Sequence, residues 1–202
     1  MFRVLTVIVF FLSGLWSQDE KRIVFFGDSI TAGYGIAIEN AFPALIQAKL
    51  EKEGLSYQVV NAGLSGETTA GGLQRIDWVL RTKASIFVLE LGGNDGLRGL
   101  SLDQTRANLK GMIQKIREAS PATTILLAGM QIPPNLGQSY TSEFKDLYQE
   151  IAEAENVQLI PFLLEGVGGE PELNLSDGIH PNEAGHEIVA ETLWNVLKPL
   201  IN

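Results

Sequence analysis

The sequence predicts an α/β fold in which helices cover both faces of a parallel sheet. Short apolar runs alternate along the chain with segments that have a helical pattern of apolar residues. The runs are apolar at successive positions, which is typical of strands that are buried on both faces. Together, these two observations favour a layered α/β arrangement.

Each predicted element depends on this alternation and on local stop signals. The predicted strands are Ile23–Phe26, Tyr57–Val60, Ile86–Leu91, Thr124–Ala128 and Val157–Ile160. The predicted helices are Phe42–Glu53, Leu73–Arg81, Leu102–Glu118, Glu143–Ala154 and Pro181–Leu197. Gly54 ends the first predicted helix, and a loop rich in proline and glycine precedes the fourth predicted helix. Pro181 suits the first position of the last predicted helix.

Composition limits the classes of protein to which the chain can belong. Its 202 residues, 45% of them hydrophobic, predict one domain with a sizeable core. A formal charge of −9 argues against a nucleic-acid partner, which requires a basic surface. The sequence has no cysteine, which excludes a thiol nucleophile, and no His, Asp and Glu cluster has the spacing of a metal site.

The N-terminal segment predicts export. Arg3 is followed by an apolar run, Val4–Leu12, and then by small residues, which is the pattern of a secretory signal peptide. We expect residues 1–17 to be this leader, residues 18–202 to form a single domain, and the protein to be periplasmic or secreted without stable membrane insertion. An uncleaved membrane tether is the alternative.

Four polar, glycine-rich blocks carry the candidate chemistry, and each comes after the end of a predicted strand. The blocks are Gly27-Asp28-Ser29-Ile30, Gly63-Leu64-Ser65-Gly66-Glu67, Gly92-Gly93-Asn94-Asp95 and Asp177-Gly178-Ile179-His180-Pro181. The fourth lies in the long loop after the fifth strand. Because the carboxyl ends of parallel strands share one edge of a sheet, we expect the four blocks to meet there.

The residue types in these blocks are those of nucleophilic acyl transfer. A serine hydroxyl needs a neighbouring base, and His180 has Asp177 three residues earlier on a predicted turn. Asp177 would orient the imidazole and leave its other nitrogen for Ser29. The Ser29 and Gly66 backbone amides and the Asn94 side chain are the expected oxyanion donors.

Other polar residues have simpler interpretations. His186 lies on an apolar helix face and is expected to pack or hydrogen-bond locally. Asp28 is adjacent to Ser29, so we expect it to fix the loop and not to act as the triad acid. Glu90 interrupts an apolar strand and is expected to be a hydrogen-bonded structural acid, with a supporting role near the site as the alternative.

The order and spacing of the four blocks resemble those of the SGNH, or GDSL, hydrolases. Within that family, the segments Phe26–Ser29, Ser65–Thr68 and Glu90–Gly99 are similar to the exported acyl-CoA thioesterase I, lysophospholipase and arylesterase group. The resemblance covers the chain after the leader, and Ile30 replaces the leucine of the name motif. It implies a flavodoxin-like three-layer α/β/α sandwich with a five-stranded parallel sheet, no cofactor, and the site residues named above.

The expected substrates are carboxylic esters with a lipid or small-molecule acyl group. Leu97, Ile132, Pro133 and Leu136 flank the expected site, where they either line an acyl groove or only cap the sheet. Aryl esters and lysophospholipids are favoured, with acyl thioesters as a further capability. Two alternatives stay open: a carbohydrate acetylesterase with the same catalytic set, and a noncatalytic flavodoxin-like binding module.

Overall fold

The computed structural model describes residues 21–201, so the predicted leader, residues 1–17, lies outside the described residues. The strands are β1 Lys21–Gly27, β2 Tyr57–Gly63, β3 Ile86–Glu90, β4 Thr124–Ala128 and β5 Gln158–Ile160. The helices are α1 Ser29–Ala32, α2 Phe42–Lys52, α3 Thr69–Val79, α4 Gly93–Leu97, α5 Leu102–Ala119, α6 Gln138–Glu155 and α7 Glu183–Leu197. None of the helices within residues 21–201 has the length and hydropathy needed to cross a membrane.

The five strands form one parallel sheet in the order β2-β1-β3-β4-β5. Successive side chains of β1 face opposite layers, which explains why the strand is apolar throughout. Phe25 packs edge to face on Phe42 of α2, at 5.5 Å between ring centroids. Phe26 lies beside Gly72 of α3 on the other face. The predicted three-layer α/β/α sandwich is therefore confirmed.

The helices divide between the two faces of the sheet. α2 packs against α7 on one face, while α5 packs against both α3 and α6 on the other. The core between these layers consists of aliphatic and aromatic side chains that are almost completely buried, including Ile23, Phe87, Leu126 and Ile151. Burial on both faces of the central strands holds the carboxyl edge of the sheet in a fixed position.

The register of the sheet aligns the three strand ends that lead into the first three polar blocks. Gly27 of β1 pairs with Gly63 of β2 on one side and with Glu90 of β3 on the other. A β carbon at Gly63 would lie 2.3 Å from the backbone nitrogen of Ala32, so α1 lies directly against the end of β2. The chain requires glycine at this position because two backbones meet there.

The boundaries of several helices differ from the prediction. The short helices α1 and α4 were not predicted, because four or five residues are too few to show helical periodicity. Helices α3 and α6 begin several residues before the predicted starts at Leu73 and Glu143. The last helix begins at Glu183 and not at Pro181, because the Asn182 side chain caps it by accepting from the Gly185 amide at 3.0 Å.

Candidate active site

Ser29 lies at the junction between β1 and α1. Strand β1 ends at Gly27, and the Asp28 carboxylate caps the following helix by accepting from the Ile30 amide at 3.0 Å. Ser29 is therefore the first helical residue, and it is 7% exposed. The cap fixes the turn that carries the serine hydroxyl to the edge of the sheet.

Asp177 and His180 form a self-supporting turn. The Asp177 Oδ1 atom accepts from the backbone amides of Ile179 at 2.9 Å and His180 at 3.0 Å. The Oδ2 atom of the same carboxylate lies 2.7 Å from His180 Nδ1. One side chain thus shapes the turn and orients the imidazole, which accounts for the three-residue spacing.

The imidazole joins this turn to the serine. His180 Nε2 lies 2.8 Å from Ser29 Oγ, although the two residues are 151 positions apart in the sequence. With Nδ1 donating to Asp177, Nε2 of the neutral ring is an acceptor for the serine hydroxyl proton. The structure therefore brings Ser29, His180 and Asp177 into one continuous hydrogen-bonded series.

The Asp177 carboxylate is held in its ionised form. Burial opposes ionisation, but the His180 and Ile179 backbone amides and the His180 side chain outweigh it and lower the pKa of Asp177 to about 2. The carboxylate is consequently charged across the ordinary pH range. It remains available to accept from Nδ1 and to stabilise an imidazolium.

The three expected oxyanion donors are in different hydrogen-bonding states. Among residues 21–201, no acceptor takes the backbone N–H of Ser29 or of Gly66. The Asn94 Nδ2 group instead donates to Asp28 Oδ2 and to the Glu67 carbonyl, each at 3.0 Å. The two backbone amides are therefore available as donors, whereas the Asn94 side-chain amide already donates to two acceptors.

Asp28 and Glu90 form a pair of buried acids beneath the site. Glu90 Oε2 accepts from the Asp28 amide at 3.1 Å and from the Thr31 hydroxyl at 2.7 Å, so Glu90 is the hydrogen-bonded acid that the sequence indicated. Burial raises the pKa of Asp28 to about 6 and raises that of Glu90 well above its ordinary value. Asp28 bonds to Ile30 and Asn94, which supports its interpretation as a residue that fixes the loop.

Buried polar side chains connect the loop after β2 to the loop after β3. Asp95 accepts from the backbone amide of Thr69 at 2.9 Å and from the Thr69 hydroxyl. Glu67, 7% exposed, accepts two hydrogen bonds from Arg75, at 2.8 and 2.6 Å. The Thr69–Asp95 bonds hold the segment that contains Gly66 against the segment that contains Asn94, and the Arg75 bonds fix Glu67 within its own segment.

The four apolar residues expected near the site divide between core and surface. Ile132 is 7% exposed and belongs to the core, and half-buried Leu97 packs against that core. Pro133 and Leu136 are exposed, with Leu136 at 43%. Pro133 and Leu136 thus present most of the apolar surface of this set to solvent.

The second histidine has the local role expected of it. His186 is 1% exposed, and its Nδ1 accepts from the Phe42 amide at 3.1 Å. Its ring stacks on the ring of Phe42, at 6.1 Å between centroids. Burial, with a smaller contribution from the charge of His180, lowers the pKa of His186 to about 4.

The structure adds two residues that the sequence analysis did not assign to the site. The Tyr34 ring lies 4.6 Å from the His180 ring, between centroids, and packs against the imidazole. Arg98 donates to both the Gly66 and Asn94 segments. Arg98 is four residues after Asn94, and this spacing brings two side chains together only where the segment is helical. The sequence analysis missed Arg98 because it did not predict α4.

These observations define the class of the protein. It is a parallel α/β/α sandwich in which a serine, a histidine and an aspartate are hydrogen-bonded in series at the carboxyl edge of the sheet. This arrangement is that of a serine hydrolase, because it couples a nucleophile to a base and the base to an orienting acid.

Comparison with known proteins assigns the family. The chain belongs to the GDSL-like lipase/acylhydrolase family, whose family model matches residues 25–188. It is 44% identical to "Esterase TesA" of Pseudomonas aeruginosa over 182 residues, which is 90% of each chain. It is 36% identical to "Arylesterase" of Vibrio mimicus over 192 residues, which is 95% of each chain.

Two further similarities are consistent with this assignment. "Thioesterase 1/protease 1/lysophospholipase L1" of Escherichia coli strain K12 is 36% identical over 181 residues, covering 89% of this chain and 85% of that protein. A crystal structure of TesA superimposes with a TM-score of 0.86 at 43% identity, covering 90% of this chain and 100% of the other. The protein is therefore an ester hydrolase of this family.

Proposed function

We propose that the protein hydrolyses carboxylic esters through an acyl-enzyme on Ser29. The observation that supports this mechanism is the hydrogen-bonded series Asp177–His180–Ser29, with 2.7 and 2.8 Å between successive side chains. Ser29 Oγ attacks the ester carbonyl carbon as its proton passes to His180 Nε2. The imidazolium then protonates the departing alcohol oxygen, and His180 activates the water that releases the acid.

Three N–H donors are proposed to stabilise the oxyanion that forms on the attacked carbonyl. They are the backbone amides of Ser29 and Gly66 and the side-chain amide of Asn94. The two backbone amides have no acceptor within residues 21–201, so they need not break an existing bond to receive the oxyanion. Donors that are oriented before the charge develops stabilise the transition state more than the ground state.

The proposed substrates are aryl esters and lysophospholipids, with acyl thioesters as a further capability. The names of the three relatives include arylesterase, thioesterase and lysophospholipase. The segments that carry the site also expose large apolar side chains, which favour esters with apolar groups. These are Tyr34, Leu64, Leu100, Leu136 and Ile179, each 41 to 51% exposed.

The acyl chain of the substrate is proposed to lie along the loops after β3 and β4. Exposed Pro133 and Leu136 supply apolar contact, while Ile132 belongs to the core and Leu97 packs against that core. Residues 18–202 are proposed as the catalytic domain, and residues 1–17 as a leader that directs the protein to the periplasm or the medium.

Labelling with a fluorophosphonate probe tests the proposed mechanism. The probe phosphonylates an activated serine, so the wild-type protein should be labelled on Ser29 and Ser29→Ala should not be labelled. Ser65→Ala is the matched control, because Ser65 is exposed in a neighbouring block and should leave labelling unchanged. A wild-type protein that resists the probe would support a noncatalytic binding module instead.

A chain-length series of nitrophenyl esters, followed by lysophospholipids, tests the proposed substrate class. Activity is expected to extend to medium and long acyl chains, since the exposed apolar residues offer contact area to each added methylene. Activity confined to the acetate ester would contradict this expectation and would favour the carbohydrate acetylesterase.

A further inference from the structure

Arg98 joins two segments that supply proposed oxyanion donors. It follows the last residue of α4, and its side chain turns back over that helix. The Nη2 atom donates to the Gly66 carbonyl at 3.1 Å and to Asn94 Oδ1 at 3.2 Å. One guanidinium nitrogen therefore connects the loop after β2 to the side chain that follows β3.

The bond to Asn94 determines which end of its amide faces the site. A guanidinium carries donors and no acceptor, so the atom opposite Arg98 has to be the amide oxygen. The Asn94 Nδ2 group then points the other way, toward Asp28 and the Glu67 carbonyl. Donation to Oδ1 also polarises the amide and strengthens Nδ2–H as a donor.

The bond to Gly66 restrains the one residue of its segment that has no side chain to hold it. Gly66 has a φ of +80° and is exposed, and glycine has a wider range of backbone conformations than any other residue. Fixing its carbonyl limits rotation about the same α carbon that carries the amide. The direction of the Gly66 N–H is thereby coupled to Arg98.

The charge of Arg98 is not neutralised by a nearby acid. Among residues 21–201, no salt bridge includes its guanidinium, whereas Arg75, Arg106 and Arg117 each pair with a carboxylate. Both partners of Arg98 are neutral oxygens. Within this part of the chain, no carboxylate therefore competes with Gly66 and Asn94 for the donors of Arg98.

We propose that Arg98 is a positioning residue that aligns the Gly66 and Asn94 donors on one point. The inference rests on the proposed function, since it assigns a role within the same oxyanion site. Arg98 acts through its two neighbours and does not contact the reacting atoms. Its contribution is therefore made in the transition state and is small in the ground state.

Kinetics of Arg98→Met and Arg98→Lys test this role. Met keeps much of the apolar stem without the donors, and kcat should fall about 10- to 100-fold while KM changes less than about twofold. Lysine keeps a cationic donor that has no acceptor, so Arg98→Lys should lose less than Arg98→Met. Arg106→Ala is the control, since this arginine pairs with Asp103 and Glu150 on the surface and should keep wild-type kcat.

Two further measurements separate positioning from other roles. The Ki of an alkyl boronic acid, which mimics the tetrahedral intermediate, should rise in proportion to the loss of kcat/KM across the Arg98 variants. The fold loss of kcat caused by Arg98→Met should also be smaller in an Asn94→Ala background than in the wild type, because part of the effect of Arg98 acts through Asn94. Fluorophosphonate should still label Ser29 to completion, which shows that the variants fold.

The outcomes distinguish this inference from the proposed function. An unchanged kcat, a rise in KM alone, equal losses in both backgrounds, or a lysine variant as impaired as the methionine variant would overturn the role of Arg98. Failure of the wild-type protein to react with fluorophosphonate would instead overturn the proposed function.

Discussion

The two histidines of the chain show how surroundings determine the role of a side chain. His180 is half-buried between Asp177 and Ser29, and each of its ring nitrogens has a polar partner. His186 is buried in the packing between α2 and α7, where it accepts one backbone hydrogen bond and stacks on Phe42. The first histidine is placed for proton transfer, whereas the second is a structural acceptor that requires the neutral form.

The neutral state of His186 predicts acid-dependent stability. Its pKa is lowered to about 4 in the fold from 6.5. The stabilisation is therefore fully present above pH 6.5 and is lost as the pH falls through 4. Substitution His186→Gln keeps an acceptor for the Phe42 amide but does not titrate. Between pH 7 and pH 4 the free energy of unfolding of the wild type should fall by on the order of 3 kcal/mol more than that of this variant.

Urea unfolding at pH 7, 5 and 4 measures this difference. The loss of ring stacking lowers the free energy of unfolding of the variant at every pH. The relevant quantity is therefore how the difference in this free energy between the two proteins changes with pH. A difference that stays constant from pH 7 to pH 4 would contradict the structural assignment of His186.

Short contacts at the ends of strands hold the elements that carry the site. Glu90, the last residue of β3, accepts from the Asp28 amide at the end of β1 and from the Thr31 hydroxyl of α1. The remaining oxygen, Oε1, has no partner within the described residues. Because burial raises the pKa of this carboxyl well above its ordinary value, Glu90 stays neutral to higher pH than an exposed glutamate.

Substitutions of Glu90 should therefore separate the hydrogen bond from the charge. Glu90→Gln keeps a neutral acceptor and should change the free energy of unfolding by less than about 1 kcal/mol at pH 7. Glu90→Ala leaves two buried donors unpaired and opens a cavity, so it should cost about 2 to 4 kcal/mol. Denaturant unfolding of both variants measures the difference. A glutamine variant as unstable as the alanine variant would show that the ionised carboxylate is required.

At the scale of the whole molecule, the strand order brings distant residues together. β1 lies between β2 and β3, so the segments that contain Ser29, Gly66 and Asn94 follow three adjacent strands. The turn of residues 177–180 reaches the same edge from beyond β5 and delivers His180 to Ser29. The site thus depends on the position of β1 inside the sheet, where it is paired on both sides.

This position of β1 predicts how the protein tolerates N-terminal truncation. A chain that begins at residue 18 should keep its melting temperature and ester hydrolysis, because it retains all of β1. A chain that begins at residue 25 should fail to fold, because Ile23 and Val24 are completely buried between two neighbouring strands. Circular dichroism on heating measures the melting temperature of each truncated chain, and a nitrophenyl ester assay measures its activity. A stable protein that starts at residue 25 would contradict the central placement of β1.

The amino-acid sequence by itself determined the layered α/β class, the five strands and the order of the polar blocks. These features depend on the local periodicity of apolar residues and on turn residues at strand ends, both of which can be read along the chain. The interpretations of His186 and Glu90 were also accessible, because a polar residue inside an apolar segment needs a local hydrogen-bond partner.

Only the tertiary structure decided which segments touch. The contact between the Tyr34 and His180 rings and the bond from Arg98 to Gly66 join segments that are distant in sequence. The bond from Arg98 to Asn94 is local, but it forms only because the short helix α4 forms. Helices of four or five residues have too few internal hydrogen bonds to form alone, so the surrounding fold determines them. Strand order and register then set the distances at the carboxyl edge, and local patterns do not encode either.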